Sequence, residues 1–236
     1  MKLTFSSERV LAVVAHPDDA ELFCAGTLAR AKADGAASAI CVLCRGDKGQ
    51  PPKGIARLAE VRHREMAAAA KLLGTRLLWC GYRDGELTDG SRQRRKLLHV
   101  FRLFRPTLVL AHAAYDYHPD HRAASALAEA ASWLSASPGH KTRRPALETQ
   151  PALWWMDTLD MNAFQPSFYI DISDYIDLKE QMLRCHRSQL ERGGQRDFTP
   201  LEELMRRQYR TRGAQAGVAA AEAFRIHHAF KRIRAW

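Results

Sequence analysis

The sequence predicts an α/β protein, a Rossmann-like three-layer sandwich with a mostly parallel sheet and its active site at the carboxyl ends of the strands. Two observations carry this. Short runs rich in Val, Ile and Leu alternate with longer segments of helical periodicity, which is the pattern of βαβ units. Two clusters of histidine and aspartate follow two of those runs directly, where open α/β sheets bind ligands. With 236 residues, 46% hydrophobic and 26% charged, the chain has the composition of a globular protein and excludes disorder, collagen-like repeats and coiled coils. One domain over residues 1–236 is expected.

Six strands are expected, at Val10–Ala15, Ser38–Cys44, Leu77–Cys80, Thr107–Ala111, Leu153–Met156 and Phe168–Asp171. Between the first four lie helices at Ala20–Ala33, Ile55–Leu73 and Arg92–Phe104, each closed by a nearby Gly35, Gly74 or Pro106. Ser135–Pro151, with Pro138, Gly139 and Pro145, reads as a long surface loop. From Thr199 and Pro200 the tail opens like a capped helix and stays basic and alanine-rich to the end.

The formal charge of +10 attracts polyanions in general. Its densest basic run, Arg92 to Arg105, also carries Leu97, Leu98, Phe101 and Phe104 at helical spacing, so it reads as the solvated face of an amphipathic helix. No zinc finger or aromatic-basic pattern makes a nucleic-acid reading specific. No apolar run approaches the roughly 20 residues of a membrane span, and no signal peptide is recognised near the N-terminus, so a cytoplasmic protein is expected. The five cysteines read as reduced thiols. Cys41 and Cys44 form one CxxC inside a strand, where residues three apart point to opposite faces and chelate poorly.

The first cluster is Ala15-His16-Pro17-Asp18-Asp19-Ala20-Glu21; the second runs from His112 to His118-Pro119-Asp120-His121. His16, Asp19 and His121 together make the two-histidine, one-carboxylate set of a hydrolytic zinc site that leaves a position open for water. Asp18 is then placed to act as general base. Pro17 and Pro119 sit where helices begin, and His118 and His121, three apart, would share one helix face. One can ligate while the other donates a hydrogen bond to substrate. Glu21 would brace the ligands from behind. His112, Tyr115 and Asp116 lie on the same loop, either lining the pocket or packing the loop.

These residues resemble the PIG-L/LmbE-like zinc-dependent de-N-acetylases, whose hallmarks, A-H-P-D-D-x-E and H-P-D-H, stand complete at Ala15–Glu21 and His118–His121. Arg45–Gly49, Arg62 with Glu65, and Asp84–Leu87 match weaker family features, so the resemblance spans about residues 8 to 190. It implies a hydrolase removing the acetyl group from an N-acetylglucosamine conjugate or related small amide. It also implies metal binding by His16, Asp19 and His121, with Zn2+ or another divalent ion such as Fe2+. Asp18 would be the base, His118 the oxyanion stabiliser or acid, Asp120 a supporting catalytic carboxylate and Arg62 a substrate contact. An Arg62–Glu65 ion pair is the competing reading. Neither the loop 135–151 nor the adjacent His227 and His228, which project apart and read as surface or packing residues, selects an aglycone. The partner expected is a small amino sugar, not a nucleic acid, with a homo-oligomer left open. The rivals are a metal-dependent phosphoesterase and a non-catalytic nucleotide-binding module; against the latter stands the absence of a G-x-G-x-x-G or P-loop motif.

Overall fold

The computed structural model describes residues 4–194 and 199–228. One sheet of seven strands organises it, in the order β3-β2-β1-β4-β5-β7-β6. The strands are β1 (Arg9–Val14), β2 (Ala37–Cys44), β3 (Arg76–Tyr82), β4 (Leu108–Ala111), β5 (Ala152–Met156), β6 (Phe168–Asp171) and β7 (Ala221–Ile226). From β3 to β5 all pairings are parallel, and only β7 runs against its neighbours β5 and β6. The predicted mostly parallel sandwich is what forms.

The helices are α1 (Asp19–Phe23), α2 (Ala25–Ala33), α3 (Leu58–Leu73), α4 (Ser91–Phe104), α5 (Pro119–Leu134), α6 (Ile176–Leu183), α7 (Arg187–Leu190) and α8 (Leu201–Ala216). Both faces of the sheet are covered, which is why the central strands read as unbroken apolar runs. Along β1, Val10, Ala12 and Val14 enter one core with residues of α1, α2, α3, α6 and α8. Leu11 and Val13 enter the other, with Leu97, Phe101 and Phe104 of α4 and Leu127 and Ala131 of α5. None of the described helices is long and apolar enough to cross a membrane.

Four local expectations need correction. The helix expected over Ala20–Ala33 is two, broken at Cys24, whose φ of −150° is not helical. The cause is tertiary: Glu222 of β7 accepts from the Gly26 and Thr27 amides at 3.0 and 2.7 Å and so caps a fresh helix start at α2. The helix expected from Ile55 begins only at Leu58, after Arg57 takes a left-handed φ of 55°. The six expected strands become seven, since α8 ends at the left-handed Gly217 and the chain returns as β7. Finally, Cys41 and Cys44 enter the same core, Cys44 being the last residue of β2, where the β2–β3 register shifts because β3 holds one extra residue between Trp79 and Tyr82. Among the described residues, 135–151 carry no helix or strand, as the loop reading expects.

Candidate active site

The strand order reverses direction between β1 and β4, the crevice where open α/β sheets bind ligands. Both His-Pro segments emerge there. After β1, Asp18 adopts a left-handed φ of 101°, a conformation aspartate enters more readily than most residues but still at a cost. That turn separates the two adjacent carboxylates. Asp18 Oδ2 accepts from Arg62 at 2.7 Å, while Asp19 Oδ2 accepts the His16 amide at 2.6 Å. Helix α1 starts only at Asp19, so Pro17 is not its first residue as the sequence suggested.

After β4, Pro119 does open α5, and His118 is its cap: the His118 Nδ1 accepts the Asp120 amide at 3.1 Å. A neutral His118 with Nδ1 so occupied carries its proton on Nε2. One turn on, His121 stacks on His118 with ring centroids 4.8 Å apart, confirming the shared face. The His121 Nε2 lies 3.4 Å from Asp19 Oδ1, and the His16 Nδ1 lies 3.5 Å from Asp19 Oδ2. Each imidazole has a carboxylate at its other nitrogen: Asp120 at 3.0 Å from His16 Nε2, and Asp116 at 3.0 Å from His121 Nδ1. The Asp116 contact is short but out of line for a hydrogen bond, and both His121 Nδ1 and Asp116 Oδ2 are buried without one.

The cluster attracts positive charge. Burial alone would lower the His16 imidazole, but Asp120 and Asp19 outweigh it and push its pKa up to about 10. His121, desolvated but beside Asp19 and Asp116, rises to about 9. Burial would raise Asp19, yet the His121 and His112 charges hold it well below the carboxylate range. Asp18 moves the other way, raised by burial against the opposing pull of Arg62. Burial, reinforced by His16 and His121, lowers His118 and keeps it neutral.

Among the described residues, three groups bring ligand atoms close enough to hold an ion: His16, His118 and His121; His16, Cys44 and Asp120; and Asp19, His112 and His121. Cys44 is disfavoured because burial, then Asp120, drives its thiol far above the usual range and keeps it protonated. His112 has its Nε2 engaged by the Ala15 amide at 3.0 Å and by Asp19 at 3.2 Å. His16, Asp19, His118 and His121 remain, all four lining one cavity, although none of the three groups unites His16 with Asp19. Asp19 approaches His16 through Oδ2 at 3.5 Å and His121 through Oδ1 at 3.4 Å; each separation singly is close to the about 3.4 Å between two ligands of a tetrahedral ion bound at about 2.0–2.2 Å, but the two use different oxygens.

That cavity, of about 420 Å³, is lined among others by His16, Asp18, Asp19, Arg62, His118 and His121. Arg62 is 3% exposed. It donates to the Pro17 carbonyl as well as to Asp18, and the competing pair with Glu65 does not form. Glu65 instead accepts from the Ser188 amide and hydroxyl at 2.8 and 2.6 Å. Gly46, at φ 73°, presses on Arg62 so closely that a Cβ would lie 2.6 Å from its Cδ. Asp120 is buried behind His16 and accepts the Gly85 amide at 2.7 Å, so it positions His16 and does not line the cavity. Glu21 touches none of the proposed ligands through a hydrogen bond. Its Oε2 lies 3.4 Å from the wholly buried His186. Lys48, from the Arg45–Gly49 stretch, lines the cavity together with Gln189 and Arg192. Gln189, Arg192 and His186 were not singled out from sequence, because they come from stretches with no motif. His227 packs against Trp155 and lies 3.6 Å from Glu129, outside the site, as the packing reading expected.

A Rossmann-like sheet with clustered histidines and carboxylates at its switch point defines the class of protein. The family profile described as PIG-L: GlcNAc-PI de-N-acetylase matches residues 11–132, just over half the chain, and the chain belongs to that family. A solved structure of a conserved protein from Thermus thermophilus is similar over 97% of this chain and 100% of its own, at 35% identity and a TM-score of 0.81. A diacetylchitobiose deacetylase of Thermococcus kodakarensis is 27% identical over 195 residues, 77% of this chain and 70% of that protein. A 4-oxalmesaconate hydratase of Pseudomonas putida is 25% identical over 184 residues, 74% and 71% of the two chains.

Proposed function

We propose that this protein is a zinc-dependent hydrolase that removes the acetyl group from an N-acetylglucosamine conjugate or a related small amide. The observation that carries the reading is the pair of imidazoles held 3.4–3.5 Å from the two oxygens of Asp19, beside a second aspartate aimed elsewhere. His16, Asp19 and His121 hold the ion, with Fe2+ as the other candidate. When bound, such an ion lowers the pKa of a water from about 16 towards 7 and polarises an amide carbonyl.

The chain's own residues do the rest. Asp18 takes a proton from the attacking water and returns it to the leaving amine, its carboxylate fixed by Arg62. His118 donates from Nε2 to the developing oxyanion, the position where a preorganised donor counts most. Asp120 and Asp116 orient His16 and His121. The acetylated sugar fills the cavity, with Arg62 at its inner end, and the active form is a soluble single domain in the cytoplasm.

One observation favours a second reading, hydration of an unsaturated acid: the hydratase of Pseudomonas putida is related over nearly as much of this chain as the deacetylase is. The test supplies purified protein, with metal content measured, with diacetylchitobiose and other N-acetylglucosamine conjugates, a phosphate ester and an unsaturated dicarboxylic acid. Metal-dependent acetate release from an amino sugar is expected. Turnover of the phosphate ester or the unsaturated acid without acetate release overturns the deacetylase reading.

A further inference from the structure

On the far side of β2 from β1, two thiols approach each other. Cys41 on β2 and Cys80 on β3 lie with Sγ atoms 3.9 Å apart. Cys41 is in register with Leu78, so Cys80 is its diagonal neighbour on the same face of the sheet. The two differ in access: Cys41 is 0% exposed, whereas Cys80 is half-buried and lines a second cavity of about 390 Å³. Tyr82, Ser91, Arg92, Arg95 and Lys96 complete that cavity. Three side-chain cations of α4 thus line the cavity with the thiol, and of these Lys96 acts on Cys80 directly.

We propose that Cys80 is a thiol–disulfide exchange site for an anionic low-molecular-weight disulfide, with Cys41 as the resolving thiol. The thiolate is the reactive form, and the pair divides the roles. The Cys41 contact, aided by Lys96 and opposed by burial, holds the Cys80 thiol below its ordinary range, while the Cys80 contact and burial drive Cys41 well above its own. In the first step Cys80 attacks one sulfur of R–S–S–R, the Cys80–S–R bond forms, and R–S⁻ leaves to take a proton from water. In the second, Cys41 attacks the Cys80 sulfur and expels the other thiolate, which carries away the Cys41 proton as R–SH. Two protein thiols are oxidised by two electrons and one disulfide is reduced to two thiols. A disulfide needs about 2.05 Å between sulfurs, and β3, paired on one side only, is the strand able to move in.

Oxidised glutathione and the neutral disulfide of mercaptoethanol are the two probes, read by intact mass and peptide mapping. With oxidised glutathione the wild type is expected to lose two thiols without retaining an adduct, with the bridge mapping to Cys41 and Cys80. Cys41→Ser should trap one glutathionyl group on Cys80. Lys96→Gln should slow the reaction with oxidised glutathione by about tenfold and leave the neutral probe's rate unchanged. An adduct of Cys41→Ser that maps to Cys185, no adduct at all, or equal sensitivity of both probes to Lys96→Gln overturns the proposal. Circular dichroism of Cys41→Ser establishes that the variant is folded.

Discussion

At the antiparallel end of the sheet, buried charges are matched, whereas at the junction of β1 and β4 they are crowded together and left partly unmatched. Lys179, 1% exposed, donates to Glu222 at 2.6 Å and to the Leu22 carbonyl at 3.0 Å. Arg212 grips Asp157 with two bonds of 2.6 and 3.1 Å. None of these four side chains has a buried polar atom without a hydrogen-bond partner. In the site, by contrast, His112 Nδ1, His121 Nδ1, Asp116 Oδ2 and Arg62 Nε are all buried without one. An orphaned buried polar group costs about 1–3 kcal/mol. The matched pairs hold the fold, whereas the site keeps its charged groups crowded together at a cost in stability.

The largest effect should come from dividing the two aspartates. Asp19→Asn is expected to remove both bound metal and acetate release, leaving activity at background. Asp18→Asn should keep the metal while turnover falls by about 10²–10⁴, the range for a general base. Elemental analysis beside the activity assay reads both. Equal loss of metal in the two variants would break the distinction between ligand and base, and with it the reading of the left-handed turn as the device that parts them.

Next in size is the matched pair. Lys179→Met strands the Glu222 carboxylate in the core and should cost about 3–5 kcal/mol, seen as a lower midpoint in chemical denaturation. Adding Glu222→Gln, which keeps an acceptor for the α2 amides, should restore much of the loss. If the single variant were as stable as wild type, the brace would be idle.

The smallest effect concerns Glu180, which Arg206 holds at 2.8 and 2.9 Å and Tyr209 at 3.0 Å. The Arg206 bond, opposed by burial and aided by Tyr209, depresses its pKa from 4.5 to about 2. A depressed carboxylate contributes stability above its unfolded pKa and loses it as pH falls through the folded one. Stability should therefore decline between about pH 4.5 and 2. Glu180→Gln should flatten that decline and cost under about 1 kcal/mol at neutral pH, since its arginine partners are solvated. Acid titration of the denaturation midpoint checks both.

The same contrast explains what the sequence disclosed. His16, Asp19, His118 and His121 belong to two short motifs directly after apolar strands, so local pattern was enough to gather them. The sheet was legible wherever both faces are buried, as in β1, β2 and β4. β7 was not, because Ala221 and Ala223 continue the alanine-rich composition of α8 and only tertiary pairing makes them a strand. Supporting residues were equally hidden. Nothing near His186 announces that it meets Glu21, and the choice of Asp18 over Glu65 as the partner of Arg62 depends on Ser188, 123 residues from Glu65.

The cap that Glu222 places on α2 spans 196 residues from Gly26. During synthesis, β1, β2 and β4 can assemble as they emerge, but α2 lacks the Glu222 cap until nearly the whole described chain has been made. Lys179, which ties Glu222 to the Leu22 carbonyl, is likewise far downstream of the helix α1 that it steadies. A nascent chain can therefore display both His-Pro motifs long before it can hold them in place. On the proposed reading of the site, metal capture is a late event in the life of this protein, gated by translation of its last described strand.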